Sequence, residues 1–149
     1  MDSRFQNGPG WPVKSVVFYL GLGALLTHEL DAMANHEWRV LPLLRTLPDE
    51  TGMTLFVALH VPLFAILIAL IASPRQRTRS LARLAVAGFL LVHGILHLLF
   101  MDHPAYEFAS ILSDSLIFGG AFCGAVYLAL TAMDRRGRPA STGGKPRLY

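Results

Sequence analysis

Six histidines and several carboxylates stand in stretches that are otherwise apolar, and that combination is the chemistry this sequence offers. His93 and His97, in HGILH, are four residues apart and share one face of a helix. His28 and Asp31, in HELDA, are three apart and share a face in the same way. His60 and Asp114 are lone polar groups in apolar runs. Neutral imidazole and carboxylate together suit Zn, Fe, Mn or Cu, and the single cysteine, Cys123, excludes a thiolate cluster and an intramolecular disulfide. These residue types predict a divalent metal, Zn or Fe, held by His28, Asp31, His60, His93 and His97, with Asp114 or Glu29 moving protons. Glu29 follows His28 directly and points about 100° away on a helix, so it is read as a base behind the ligands or as facing another helix. HELDA lacks the second histidine of the HExxH zinc motif.

Each residue also has a plainer reading. His28 could hydrogen-bond Asp31 or Asp114, and His60 could be a satisfied core histidine beside Pro62, which frees the carbonyl of Ala58. His97 could reach an interface, and Asp114 could clasp one histidine. His36 and Glu37, beside Trp38, read first as a solvated turn, with reach to the site as the alternative, and His103, before Pro104, reads first as a cap at a helix start, with a ligand at the mouth of the site as the alternative. Gly21, Gly23, Gly88, Gly119, Gly120 and Gly124 read as close-packing positions between helices, and Cys123 as inert.

The elements that must position these groups are helices in lipid. Of 149 residues, 53% are hydrophobic and only 15% charged, with mean hydropathy +0.46, where a soluble domain carries about a quarter charged residues. The apolar residues are gathered into four blocks, about 15–34, 51–72, 81–101 and 108–133, each near the length of about 20 residues that crosses a bilayer. We expect an all-α integral membrane four-helix bundle forming one domain over 1–133, followed by a basic disordered tail over 134–149. At about 1.5 Å per residue, His28, His60, His93 and Asp114 all lie about 10–13 Å in from the same end of their spans. Pro42 and Pro48 argue against one long helix between the first two spans, and Trp38 and Arg39 suit a membrane interface there.

Charge orients the bundle. Eleven of the thirteen Lys and Arg fall on one side of a four-pass chain, leaving Arg39 and Arg45 opposite, so both termini are expected in the cytoplasm. Eight of the ten acids and all six histidines fall in the other half. The positive-inside pattern accounts for the net charge of +3, so nucleic acid is not an expected partner. Lys14, the run Val16 to Leu26 and Ala32-Met33-Ala34 imitate a cleaved leader, but a site after Ala34 lies beyond the usual range of about 15 to 30 residues. Cleavage there would also discard His28, Glu29 and Asp31.

The run YLGLGALLTHELDAMANHEWRVLP, with LPDE, LHVPLF and HGILH after it, resembles an uncharacterised family of small bacterial four-pass membrane proteins with a THELDAM and HEWR signature. The resemblance covers about Tyr19 to His103 and implies a shared fold, a shared polar cluster and a bacterial inner (plasma) membrane location, but no activity. The chain is loosely similar to HXXEE-type membrane proteins, although Glu29, Leu30 and Asp31 after His28 depart from that motif. It is more faintly similar to the intramembrane zinc hydrolases of the alkaline ceramidase group, which pair HxxxH with another His, an Asp and a Ser. Those have seven spans against four here, so the likeness is a chemical analogy.

These observations lead to a metal-dependent hydrolase or oxygenase acting on a membrane lipid or other apolar small molecule. Hydrolysis favours one Zn on three histidines, and oxygen chemistry favours two irons bridged by carboxylates. The alternatives are a metal or haem binder without catalysis and a pH-sensing bundle with a buried His/Asp hydrogen-bond network. Transport is disfavoured, because the cytoplasmic halves of the spans carry no ionisable residue except Arg83.

Overall fold

The computed structural model describes residues 12–136 as four long helices, with no strand among the described residues. Helix α1 runs Val13–Ala34, α2 Asp49–Ile71, α3 Gln76–Phe100 and α4 Ile111–Arg136. All four are long and apolar enough to cross a membrane. Two short 3₁₀ turns, Glu37–Arg39 and Leu44–Thr46, replace any long helix between α1 and α2, where Pro42 and Pro48 interrupt the chain.

The helix ends differ from the sequence expectation for local reasons. Asp49 and Glu50 open α2 directly after Pro48, as acidic groups favour the positive end of the helix dipole. Helix α3 begins at Gln76, five residues before the expected span, because the polar stretch after Arg75 continues the helix below the apolar part. Helix α4 starts at Ile111, where the Ser110 hydroxyl accepts a hydrogen bond from the Ser113 amide at 2.9 Å and so caps the first turn. The chain just before it stays non-helical, and Phe108 is buried there. Residues 134–136 of the expected tail are helical, and 137–149 lie outside the described residues.

Helices α1, α3 and α4 form the core, with Phe18, Leu25, Val86, Ala87, Leu90 and Tyr127 buried among them. Glycine allows that approach at specific points. A Cβ at Gly124 would stand 2.5 Å from the Ala87 carbonyl oxygen, and one at Gly94 would stand 2.7 Å from the Ala121 Cβ. Gly21 and Gly120 are similarly close-packed, and Gly21 faces Cys123. Gly23, Gly88 and Gly119, expected to pack the same way, face open space. Spacing alone did not say which side of each helix meets a neighbour.

Helix α2 is peripheral. Only Gly52, Phe56 and Ile71 of it are buried, and Val57, Leu59, Val61, Ile66 and Ile68 point outward. A second apolar cluster, Ala32, Trp38, Phe56, Phe108 and Ile117, fills the end of the bundle carrying the two non-helical connections. It is this cluster that holds the histidines in place.

Candidate metal centre

His28 reaches the bundle interior from α1 and is only 1% exposed. His93 and His97 approach from α3, one turn apart on the face that the spacing predicts. The three rings sit edge to face, with centroids 4.6 Å apart for His93 and His97, 4.9 Å for His28 and His93, and 5.0 Å for His28 and His97. Phe108 packs against His28 and His97, and Phe89 stacks on His93 at 5.3 Å, so aromatic walls fix the rings.

The fourth member comes from outside the helices. His36 takes a left-handed conformation, φ 50°, which turns the chain back at the end of α1. That reversal brings the buried Glu37 over the rings, its Oε2 at 3.7 Å from His28 Nε2 and its Oε1 at 4.0 Å from His97 Nε2. One ligand atom from each of His28, Glu37, His93 and His97 lies within 4.8 Å of every other. The turn is clasped from outside. Arg39 grips both oxygens of Asp49 at 2.7 and 2.8 Å, Trp38 Nε1 donates to Asp49 at 2.9 Å, and His36 Nδ1 pairs with Glu107 at 2.8 Å.

The donor set fits a metal ion. Ligand bonds of about 2.0–2.1 Å in a tetrahedron put ligand atoms about 3.3 Å apart, and the shortest separation here, His93 Nε2 to His97 Nε2, is 3.2 Å. The carboxylate separations of 3.7 and 4.0 Å are too long for hydrogen bonds and close enough for ligands of one ion. Neither ring nitrogen of His28 has a hydrogen-bond partner, although the residue is buried, a condition that folded proteins rarely leave unexplained. His97 Nδ1 lies 3.1 Å from the Tyr106 hydroxyl. When Nδ1–H donates to that oxygen, Nε2 keeps its lone pair for a metal. A cavity of about 70 Å³, lined by Glu37, His93, His97 and Tyr106, opens beside the cluster and holds room for water.

The 3₁₀-turn carboxyl feels this enclosure. Burial above all, with Glu29 and Asp31 nearby, pushes Glu37 up to about 8. Burial likewise raises the Tyr106 hydroxyl, with Asp114 and Glu37 adding to the shift.

Of the expected ligands, the structure brings together His28, His93 and His97, and leaves out two. His60 is engaged elsewhere: its Nδ1 donates to the Phe56 carbonyl at 2.6 Å, and its Nε2 meets Glu29 Oε2 at 2.8 Å. The peripheral placement of α2 keeps that ring away from the three others. Asp31 is half-buried outside the group, one helical turn beyond His28, where Glu37 takes the position over the rings. Its Oδ2 is buried without a hydrogen-bond partner. Of the two expected proton carriers, Glu29 turns to His60, as its 100° offset from His28 allows, and Asp114 is exposed. The register of α4 directs Ser113 inward instead.

Glu37 is the correction in the other direction. It reads as part of a solvated turn and is in fact buried in the cluster, and the neighbouring Trp38, an anchor with Phe56 against it, is the signal in the sequence that this turn folds inward. His103 caps no helix, because α4 starts only at Ile111; its Nδ1 accepts the Ala105 amide at 3.2 Å within the turn that follows α3.

Residues 14–134, nearly all of the described chain, match one family model. The chain belongs to the family of unknown function DUF6713. No curated protein and no solved structure matches it. The match takes in all four helices but for Val13 and residues 135–136, with the 3₁₀ turn bearing Glu37 and both connections at the cluster's end of this DUF6713 chain.

Proposed function

We propose that this DUF6713 protein is an integral membrane protein with both termini in the cytoplasm, holding a divalent metal, Zn or Fe, on His28, His93, His97 and Glu37 in the outer-leaflet half of the bundle. Its reaction class is metal-dependent hydrolysis or oxygenation of a lipid or other apolar substrate. The observation that carries the reading is His28: an imidazole 1% exposed, with both nitrogens unpartnered, facing two more imidazoles and a carboxylate. A metal bound there would supply Lewis acidity and lower the pKa of a bound water. The three imidazoles and Glu37 would hold the ion, and Tyr106 would orient His97 beside the small cavity. Ring centroids within 5.0 Å of one another favour a bare ion over haem, which needs a macrocycle between its axial histidines. The basic residues gathered at the end opposite the cluster support the orientation.

Metal analysis of the detergent-purified protein tests this reading. We expect about one ion per chain, lost in His93→Ala and in Glu37→Ala and retained in His60→Ala, because His60 lies outside the cluster. Wild-type protein that stays metal-free after reconstitution with Zn and with anaerobic Fe(II) overturns it. In that case the His93–His97–Tyr106 hydrogen-bond chain, at 3.2 and 3.1 Å, favours a proton-sensing bundle.

A further inference from the structure

Between α1, α2 and α3 lies a second cavity, of about 230 Å³, separate from the one beside the metal cluster. Its walls are Leu25, Leu63, Phe64, Leu67, Val86 and Phe89, and Glu29 is the polar residue in its lining. It exists because α2 stands away from the three-helix core along helices long and apolar enough to lie in lipid. Filling such a cleft with hydrocarbon gains little by itself, since the lipid tails outside are just as apolar. What distinguishes an occupant is the group it brings to Glu29.

That group is set by the Glu29–His60 pair. His60 Nδ1 must donate, because its partner at 2.6 Å is the Phe56 carbonyl. One proton then lies between His60 Nε2 and Glu29 Oε2, 2.8 Å apart, and the pair is neutral as a whole whichever atom carries it. In both forms Glu29 Oε1 is an acceptor, and it has no hydrogen-bond partner among the described residues. The occupant therefore brings a donor. A neutral pair has no spare charge to balance an ammonium, and an amide would bring a carbonyl that finds no donor on the apolar walls. A hydroxyl fits both conditions.

We propose that this cleft binds a long-chain lipid alcohol, its hydrocarbon between α2 and α3 and its hydroxyl donating to Glu29. Phe89, in the cleft wall, stacks on His93, so the occupant lies against the metal cluster, but binding requires no metal. The test is photolabelling of the full chain in nanodiscs by a diazirine-bearing hexadecanol, with chelator present, so that a missing metal does not affect the result. Label is expected on α2 and α3 peptides around Leu63–Leu67 and Ala85–Phe89. Unlabelled 1-hexadecanol should compete on the order of fivefold better than its methyl ether, which lacks the donor. Ala85 also lines the cleft, so Ala85→Trp, which fills it while leaving Glu29 and His60 in place, should abolish labelling while the protein keeps its helical spectrum, and Glu29→Leu should erase the preference for alcohol over ether. Labelling that survives Ala85→Trp, or equal competition by alcohol and ether in the wild type, overturns the proposal.

Discussion

Replacing His28 by Leu has opposite consequences with and without metal, and that sign change is a stringent test of the cluster. In chelator, His28 leaves two buried ring nitrogens unpartnered, each costing about 1–3 kcal/mol. Leucine removes that cost at similar volume, so the metal-free variant should be at least as stable as wild type. With metal at 100 times its dissociation constant, wild type gains about 2.7 kcal/mol, or on the order of 8 °C in Tm for a chain of this size. Sharing about 10–16 kcal/mol of metal binding among four ligands assigns roughly 3 kcal/mol to each, so the variant binds more than 100-fold more weakly. At the same metal concentration its gain falls to about 0.4 kcal/mol, close to 1 °C. Thermal unfolding of detergent-purified wild type and His28→Leu, in chelator and in metal, measures all four values. A variant that unfolds well below wild type in chelator, or one that keeps the full metal shift, refutes the assignment of His28 as an unpartnered ligand.

Other perturbations probe the supports. Tyr106→Phe removes the hydroxyl that orients His97 and should weaken metal binding about 10- to 100-fold without changing stoichiometry at saturation, as read by metal titration. Glu37, raised to about 8 from an ordinary 4.5, makes the folded metal-free chain hold more protons than the unfolded one, so stability falls as pH rises across that window. The Tm of wild type in chelator should therefore drop from about pH 5 to 8 relative to Glu37→Gln, and a constant difference between the two would show that this carboxyl is not shifted. Gly124→Ala drives a Cβ against the Ala87 carbonyl and should cost about 1–3 kcal/mol, whereas Gly119→Ala, facing open space, should gain about 0.5–1 kcal/mol; denaturant unfolding that ranks them otherwise contradicts the α3–α4 packing. Asp114→Asn, at an exposed position, should leave metal content unchanged.

Composition and block length alone determined four long apolar helices, because hydrocarbon-length runs and the breaks at Pro42 and Pro48 need no tertiary information. The His93 and His97 pair was also legible, since four residues on a helix set both depth and direction. Depth was readable for His60 and Asp114 as well, but azimuth was not. Which side of α2 or α4 faces inward depends on where the neighbouring helices pack, and packing turned His60 to Glu29 and Asp114 outward. Glu37 was decided at the tertiary level, with Trp38 beside it as the one signal in the sequence: a left-handed residue at His36 and a clasp formed by Arg39, Asp49 and Glu107 fold a polar turn over the rings. The periodicity of a helix carries no record of such a contact, because the groups that make it come from segments that meet only when the bundle closes.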